Sequence, residues 1–161
     1  MAVVLVEGVT DRLALEAVAR RLGLNLGGVE IVAIGGAQAI RRAAGQHEGE
    51  RLVGLCDAGE ERWFRRVLGH ATYVCDKDLE DELIRALGVE RVQDVVAAQG
   101  ELETFRSFQN QVYWRGRPVE RQLRRWLQNG GRYLRYPPLL VEAMELDEIP
   151  RPLGGVLAAV A

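Results

Sequence analysis

The chain has 161 residues, 48% of them hydrophobic, and a formal net charge of −2 at pH 7. This length and composition can bury the core of one domain with an elaboration, so a disordered or purely helical-repeat protein is not expected. A single serine, Ser107, and two histidines, His47 and His70, exclude a GxSxG hydrolase and an HExxH metalloprotease. The only lysine is Lys77, which excludes a Walker A phosphate loop, and no GxGxxG motif occurs.

Two cysteines, Cys56 and Cys75, lie in apolar runs without the spacing of a disulfide framework or a zinc site. They are expected to be buried thiols in a reducing cytosol. The first apolar run, AVVLV, has no basic segment before it, no small-residue cleavage site after it, and is far shorter than a membrane span. We therefore expect a soluble, cytoplasmic protein without a membrane partner.

The first half of the chain alternates between short apolar runs and segments with helical spacing. Strands are predicted at 2–6, 29–34, 51–56 and 71–75, and helices lie between them, the first ending at Gly23 and the next two over 37–44 and 60–69. This alternation predicts an α/β fold with a four-stranded, mainly parallel, Rossmann-like sheet flanked by helices. In such sheets, ligands bind beyond the carboxyl ends of the strands.

The second half shows helical spacing without clear strands. Helices are predicted at 79–87, 90–98, 101–110, 118–128 and 138–146, and a short apolar tail follows Pro150 and Pro152. We expect residues 1–85 to form the α/β domain and residues 86–161 to form a helical C-terminal extension packed on it.

Acidic residues follow three of the predicted strands: Glu7 and Asp11 in VEGVTD, Asp57 in LCDAGEE, and Asp78 and Glu80 in CDKDLEDE. If they gather at one sheet edge, each like-charged pair near 4 Å would cost up to roughly 4 kcal/mol at an effective dielectric of about 20. A bound divalent cation would remove this cost. Oxygen ligands without histidine or thiolate favour Mg²⁺ or Mn²⁺ over zinc.

Helix capping is an alternative explanation for several of these acids. Asp57 precedes Glu60, and Asp78 precedes Asp81, with the spacing of an N-cap and the third residue of a helix. Asp11 could simply favour the positive end of the first helix. For these positions capping and metal binding both remain open.

Glu7 is harder to explain by structure alone. A glutamate that closes a fully apolar strand is neither a good cap nor a good strand residue, and burying it unpaired would be costly. The next residue, Gly8, is expected to give the backbone freedom for a tight turn near a phosphate or metal. These features favour a functional role for Glu7.

Three segments together resemble a TOPRIM domain: VLVEGVTD at the first strand and helix, Ile34-Gly35-Gly36 after the second strand, and LCDAGEE after the third. TOPRIM is the catalytic module of DnaG-type primases, type IA and II topoisomerases and the overcoming-lysogenization-defect (OLD) nucleases. The resemblance is strongest to the OLD-type branch, because an acidic motif, Asp78-Leu79-Glu80, follows the fourth strand. The core of the resemblance covers residues 1 to about 85. The whole chain is also similar to short, stand-alone bacterial TOPRIM nucleotidyl transferase/hydrolase domains.

The resemblance implies roles for individual residues. In that family, the glutamate after the first strand acts as general acid or base and contacts metal, and the aspartates after the third strand bind Mg²⁺. Glu7 would therefore be both catalytic and metal-binding, and Asp57 would be the first aspartate of the family's DxD motif. Asp11, Asp78 and Glu80 match the additional acidic ligands of OLD-type sites.

One departure from the family pattern is the second aspartate of DxD, which is Gly59 here. Three outcomes remain open. Glu60 or Glu61 substitutes as a ligand, the site holds fewer metal ions, or catalysis has been lost. A two-metal site stabilises both the attacking and leaving oxygens, so loss of one metal would weaken hydrolysis strongly.

Residues 106–136 contain eight arginines and one acid, Glu120. Apolar residues of the helix predicted over 118–128 share one side, so its arginines lie mainly on exposed sides. Such a surface is typical of binding to a nucleic-acid backbone. The alternative is a solvated face balanced by the acidic stretch 76–103.

Aromatic residues interleave with these arginines. Trp114, Tyr133 and Tyr136 are candidate stacking groups for bases. The arginines predicted to contact nucleic acid are Arg115, Arg117, Arg121, Arg124, Arg125 and Arg132.

These features predict a nuclease of TOPRIM/OLD type that hydrolyses phosphodiester bonds with Mg²⁺ or Mn²⁺, acting on DNA rather than RNA, in DNA repair or defence. A weaker third hypothesis is hydrolysis or transfer on a small nucleotide. The main alternative is a catalytically weakened module that binds nucleic acid or a partner protein. OLD-type nucleases join TOPRIM to an ATPase, which this sequence lacks, so a separate ATPase is one expected partner and a second copy of the chain is another.

Overall fold

The computed structural model describes all 161 residues and contains four β-strands and nine α-helices. The strands are β1 Ala2–Val6, β2 Val29–Ala33, β3 Arg51–Asp57 and β4 Thr72–Cys75. The helices are α1 Val9–Leu22, α2 Ile40–Gln46, α3 Glu61–Leu68, α4 Leu79–Leu87, α5 Val89–Ala98, α6 Leu102–Gln109, α7 Val119–Leu127, α8 Arg132–Ala143 and α9 Arg151–Ala158. Short 3-10 turns precede α2 and α3 at Ala37–Ala39 and Ala58–Glu60.

The four strands form one parallel sheet in the order β2-β1-β3-β4. The predicted four-stranded parallel sheet is therefore confirmed. The chain builds β2 on one side of β1 and then crosses to β3 on the other side, so the strand order reverses between β1 and β3. In open α/β sheets, ligands bind in the crevice at such a reversal.

Helices cover both faces of the sheet. On one face Val3 and Leu5 pack against Ile40 of α2 and Phe64 of α3. On the other face the remaining β1 side chains join a core of 30 buried residues that also includes α1 and the helices from α4 to α9. Because β1 is buried on both faces, a continuous apolar run is required there, as its sequence indicates.

The helical second half shares its core with the sheet. Helix α8 packs along α1, and α9 packs against β3, β4 and α1. The division of the chain at residue 85 stays a prediction, but the two parts bury one continuous apolar cluster. None of the helices is both long and apolar enough to cross a membrane.

Two predictions about the second half are wrong. The helix predicted over 138–146 begins at Arg132, passes through Pro137 and Pro138, and ends at Ala143. Each proline removes a backbone hydrogen bond, but burial of Tyr136, Pro137 and neighbouring apolar residues keeps the segment helical. The expected apolar tail is helix α9, whose early proline is tolerated because first-turn N–H groups have no partner within the helix.

Both cysteines are buried free thiols, as predicted. Burial, with the nearby charge of Asp57, raises the pKa of Cys56 to about 12. The same causes raise the pKa of Cys75. Both side chains therefore stay protonated and act as apolar core residues.

Candidate active site at the carboxyl edge of the sheet

Glu7 and Asp57 lie at the carboxyl ends of two neighbouring strands. Glu7 directly follows β1, and Asp57 is the last residue of β3. The two strands pair in parallel, with Val6 opposite Leu55, so both carboxylates stand at the same edge of the sheet, at the reversal of strand order. Glu7 and Asp57 are fifty residues apart in the sequence, but they lie at the ends of adjacent strands.

The glycine pair after β2 holds the backbone of Glu7 in place. The N–H groups of Gly35 and Gly36 donate to the carbonyl oxygen of Glu7 at 3.0 and 3.2 Å. Both glycines have positive φ, +80° and +121°, which other residues rarely adopt. The pair therefore fixes the peptide that carries the Glu7 side chain and leaves the carboxylate free.

Gly8 acts differently from the prediction. Its φ of −138° and ψ of 175° are ordinary extended values, so glycine is not required there for a tight turn. Instead its N–H donates to Asp11 Oδ2 at 2.9 Å, which caps the start of α1. Asp11 thus lies in the first turn of α1, at the positive end of the helix, as its structural alternative expected, and one of its oxygens is engaged.

An open pocket of about 370 Å³ lies above this edge and is lined by four of the five predicted acids. Its other lining residues are Gly8, Thr10, Gly35, Gly36 and Leu79. The four acids are Glu7, Asp11, Asp57 and Glu80.

None of these four carboxylates forms a salt bridge. Burial, together with the nearby charges of Asp11 and Glu7, raises the pKa of Asp57 to about 8. Burial also raises the pKa of Asp11 to about 6, against the opposing effect of the Gly8 hydrogen bond. The pocket therefore gathers four carboxyl groups without a salt-bridged cation of the protein, and Asp57 holds its proton at neutral pH.

Glu7 and Glu80 show the same trend. Burial and the nearby Glu60 carboxylate raise the pKa of Glu7. Burial raises the pKa of Glu80 as well, and Gln128 and Arg124 partly offset that rise. A carboxylate with a raised pKa accepts a proton more readily near neutral pH, which suits a general base.

Asp57 and Asp78 differ in whether their side chains cap the helical turn that follows them. Asp57 precedes a 3-10 turn, but its side chain accepts no capping hydrogen bond. Asp78 caps α4: its Oδ1 accepts from the N–H of Asp81 at 2.9 Å. The two positions look alike in sequence, and only Asp78 is a cap.

Asp78 is also held from the far side by α7. Its Oδ2 accepts from Arg124 Nε at 2.7 Å and from Gln128 Nε2 at 3.3 Å, so both of its oxygens are engaged by the protein. The side chain is buried and lies outside the pocket lining. Of the predicted metal ligands, Asp78 is thus the least available to bind a cation. Its contacts join α4 to α7.

The pocket fits a divalent cation in donor type and charge. Its uncompensated oxygens are hard ligands of the kind that Mg²⁺ and Mn²⁺ prefer. No group of three or more His, Cys, Asp or Glu side chains is, however, drawn together closely enough to hold a metal ion. Binding of a cation here would therefore require the carboxylate side chains to turn toward one another.

Glu60 and Glu61 are not equivalent as substitutes for the missing aspartate. The Glu60 side chain has no ionic partner, and its charge raises the pKa of Glu7. Glu61 instead forms an ion pair with Arg65 within α3. At Gly59 a side chain would meet no atom within 4 Å, and the backbone is not in the left-handed region. The structure therefore leaves room for the aspartate that the family pattern has there.

The arginines predicted to bind nucleic acid divide into two groups. Four of them are engaged internally: Arg124 with Asp78, Arg132 with Glu101, Arg115 with the Asn110 carbonyl and Arg117 with the Tyr113 carbonyl. Arg121 and Arg125 are exposed and have no protein partner. Together with Trp114 and Gln128 they line a pocket of about 220 Å³ on α7.

The predicted stacking groups also divide. Tyr136 is fully buried and donates its hydroxyl to Glu101 at 2.8 Å, so the prediction that it stacks on bases is wrong. Trp114 is partly buried, packed against Phe108 and Tyr113. Tyr133 remains exposed.

Comparisons with known proteins agree with the resemblance seen in the sequence. Residues 1–46 match the family model described as "Overcoming lysogenization defect protein-like, TOPRIM domain". No curated protein sequence matches the chain.

Solved structures with the same fold include the C-terminal region of the Burkholderia pseudomallei OLD protein, with a TM-score of 0.69 at 17% identity, covering 98% of this chain and 95% of that one. The C-terminal region of the Xanthomonas campestris pv. campestris OLD protein has a TM-score of 0.73 at 20% identity, covering 99% and 91%. The match extends over the helical second half as well as the sheet. The resemblance to an OLD-type TOPRIM domain is thereby confirmed at the level of the fold.

Proposed function

We propose that this chain, an OLD-type TOPRIM domain by fold, hydrolyses phosphodiester bonds of nucleic acid with the help of a divalent cation bound at the carboxyl edge of its sheet. The observation that carries this proposal is the pocket lined by four carboxylates without a cationic partner. Such an arrangement destabilises the folded protein. A structural role does not explain this arrangement, whereas a bound cation does.

Asp57, Glu80 and Glu7 would hold Mg²⁺ or Mn²⁺, with Glu60 supplementing them and Asp11 contributing its free oxygen. The bound cation would neutralise developing negative charge and lower the pKa of water. Glu7, whose pKa is raised by burial and by Glu60, would accept a proton from the attacking water. Asp78 would act indirectly, because its contacts with Arg124 and the start of α4 fix the position of Glu80.

Nucleic acid, and DNA in particular, is the proposed substrate. The pocket is open to solvent and lies at the surface, so a polymer can reach it. On α7, the exposed Arg121 and Arg125 lie beside Arg124, which contacts the acidic cluster through Asp78. Arginine presents several N–H donors in a fixed geometry that suits phosphate oxygens.

Cleavage assays test this proposal. Plasmid, single-stranded DNA and RNA are incubated with the protein in Mg²⁺, Mn²⁺ or chelator, beside two variants, Glu7→Gln and Glu61→Gln. We expect metal-dependent cleavage that falls by about 100-fold or more in Glu7→Gln, as is typical for loss of a general base. Glu61→Gln is the matched control, because Glu61 is paired with Arg65, and it should change the rate less than about threefold. Metal-dependent cleavage that persists in Glu7→Gln would contradict the site assignment.

A second candidate function is a non-catalytic module that binds nucleic acid or a partner such as a separate ATPase. Gly59 favours it, since that position lacks the second aspartate ligand. So does the lack of any group of three or more potential ligands placed closely enough to hold a metal ion. The same assays separate the two candidates. Tight binding of nucleic acid with no cleavage of any substrate in either metal would support the second.

A further inference from the structure

Helices α2 and α3 cover the face of the sheet opposite to that covered by α8 and α9, and together they carry five arginines. Helices α2 and α3 pack on the same sheet face and contact each other. Their exposed arginines face solvent, and the two helices themselves contain a single acid, Glu61. We call this surface the α2–α3 face, and its arginines are Arg41, Arg42, Arg62, Arg65 and Arg66.

The charge of this face is largely uncompensated. Only Arg65 has an ionic partner, Glu61. The other four arginines form no salt bridge and no side-chain hydrogen bond, in contrast to Arg124 and Arg132 in the helical half. The guanidinium donors of these four arginines are therefore free to bind an external anion.

The α2–α3 face also starts at the acidic pocket. In a parallel sheet the helices that follow the strands begin at the carboxyl edge. Helix α2 begins a few residues after Gly36, which lines the pocket, and α3 begins just after Asp57. Arg41, Arg42 and Arg62 are in the first turns of these helices and are therefore near the pocket, while Arg66 is about 6 Å further along α3.

An aromatic ring stabilises part of this arrangement. The Arg62 guanidinium lies over the Trp63 ring at 4.9 Å from its centroid, and that of Arg66 lies at 5.8 Å. Cation–π contacts hold a guanidinium without consuming its hydrogen-bond donors in a salt bridge. Both arginines thus remain able to donate to an external oxygen.

The proposed substrate gives such a surface a role. A pocket lined by carboxylates repels phosphates, so affinity for a polyanion has to come from cations beside the pocket. We infer that the α2–α3 face binds the phosphate backbone of a nucleic-acid strand whose neighbouring phosphodiester enters the acidic pocket. The inference rests on the proposed function and narrows its substrate to a polynucleotide extending several nucleotides beyond the reacting bond.

Binding measurements test the inference without turnover. Fluorescence anisotropy of a labelled DNA oligonucleotide in EDTA is compared for wild type and the variant R41Q/R42Q/R62Q/R66Q. Glutamine keeps helix propensity, and Arg65 is left in place because of its ion pair. We expect affinity to fall by at least roughly tenfold, and the slope of log affinity against log salt to decrease by about three, from four lost phosphate contacts.

The control removes four exposed arginines elsewhere, R20Q/R51Q/R106Q/R151Q, for the same change in net charge. Because Arg20 pairs with Glu142 and Arg106 donates hydrogen bonds to Gln93 and Gln109, the fold of the control is checked by its melting curve as well. Its binding should stay within about threefold of wild type if location matters more than total charge. Equal losses in both variants would overturn the inference, as would unchanged binding in the first variant. If the first variant does not fold, as judged by its melting curve, the pairs R41Q/R42Q and R62Q/R66Q are measured separately and should each lose part of the affinity.

Hydrolysis of bis(4-nitrophenyl) phosphate in Mn²⁺ distinguishes this inference from the proposed function. This small diester occupies only the acidic pocket, so the α2–α3 variant should hydrolyse it at the wild-type rate while losing DNA binding. Absence of all hydrolysis by wild type would count against the proposed function, and the binding data would still decide the role of the face. Wild-type protein that binds no DNA would overturn the inference directly.

Discussion

The two halves of the molecule treat charged groups in opposite ways. In the helical half, acids are paired across helices: Glu148 with Arg91, and Glu101 with both Arg132 and Arg135. At the carboxyl edge of the sheet, Asp57 and its acidic neighbours have no cationic partner. Paired charges of this kind fix helices relative to one another, whereas crowded carboxylates destabilise the fold. The contrast supports the proposed site at the edge of the sheet.

Asp78 lies next to the acidic pocket in sequence, but its charge is paired like those of the helical half. It follows β4 like a site residue, but Arg124, 46 positions later in the sequence, and the capped N–H of Asp81 engage both of its oxygens. It is 8% exposed, whereas Asp57 lines an open pocket. Substitutions at these two aspartates therefore should have opposite effects on stability, which makes them the sharpest probe of the contrast.

The largest expected effect is the loss of activity in Asp57→Asn. Removing this carboxylate should lower metal-dependent cleavage by about 100-fold or more, because a bound cation contributes several kcal/mol to stabilising the transition state. The same variant, free of metal at about pH 8, should gain about 1 kcal/mol in free energy of unfolding, a value reduced by solvent screening. Urea denaturation in EDTA measures the gain. A variant that is both inactive and less stable would break the contrast.

The next effect is a loss of stability when the link between α4 and α7 is cut. Arg124→Ala leaves Asp78 without its charged partner and should cost about 2 kcal/mol, less than the 3–5 kcal/mol typical of a fully buried pair because Arg124 is partly exposed. Arg125→Ala is the matched control, since the neighbouring Arg125 is exposed and unpaired, and it should change stability by under about 0.5 kcal/mol. Equal effects of the two substitutions in urea denaturation would contradict a stabilising role for the contact between Asp78 and Arg124.

The pH dependence of stability should reveal the crowded carboxylates. The pKa of Asp11 is raised to about 6 and that of Asp57 to about 8, so the folded state holds these protons more tightly than the unfolded state. Their favourable contribution is fully present below about pH 4 and is lost as pH rises through 6 and then 8. In EDTA, the free energy of unfolding should fall across this range, and Asp57→Asn should remove the part above about pH 6. A free energy of unfolding that does not change with pH in wild type would contradict the raised pKa values of Asp11 and Asp57.

The smallest effect concerns Gly59. Because a side chain there meets no atom within 4 Å, Gly59→Asp should change stability by less than about 0.5 kcal/mol. The added carboxylate should strengthen Mn²⁺ binding by about three- to tenfold, through one more oxygen ligand. Calorimetric titration measures the affinity. Unchanged affinity would show that the position faces away from the bound cation.

The sheet and the position of the pocket were predictable from the sequence. Short apolar runs ending in Glu7 and Asp57 specify parallel strands whose ends meet, and this local pattern agrees with the tertiary structure. The opposite characters of Asp57 and Asp78 were not predictable. Both precede a helical turn at the same offset, and the difference depends on Arg124, which only the packing of α7 brings into contact.

The basic surfaces show the same limit. A run of arginines in sequence marks α7, but it does not reveal that Arg124 and Arg132 are engaged internally. The arginines of the α2–α3 face come from two segments about twenty residues apart, so they do not form one basic run that could be recognised in the sequence. Likewise, Pro137 and Pro138 argue against a helix, and only the burial of their neighbours in the shared core explains why α8 continues through them.

Titration of Mn²⁺ into metal-free protein near pH 7, in two buffers of different ionisation enthalpy, tests the cation site most directly. Because the pKa of Asp57 is raised to about 8, its carboxyl is largely protonated at that pH, and a bound cation must displace the proton. We expect binding with release of about one proton per protein in wild type, and Asp57→Asn should bind at least about tenfold more weakly without that release. Equal affinity in wild type and Asp57→Asn, or no binding by wild type, would contradict a cation site at this edge of the sheet.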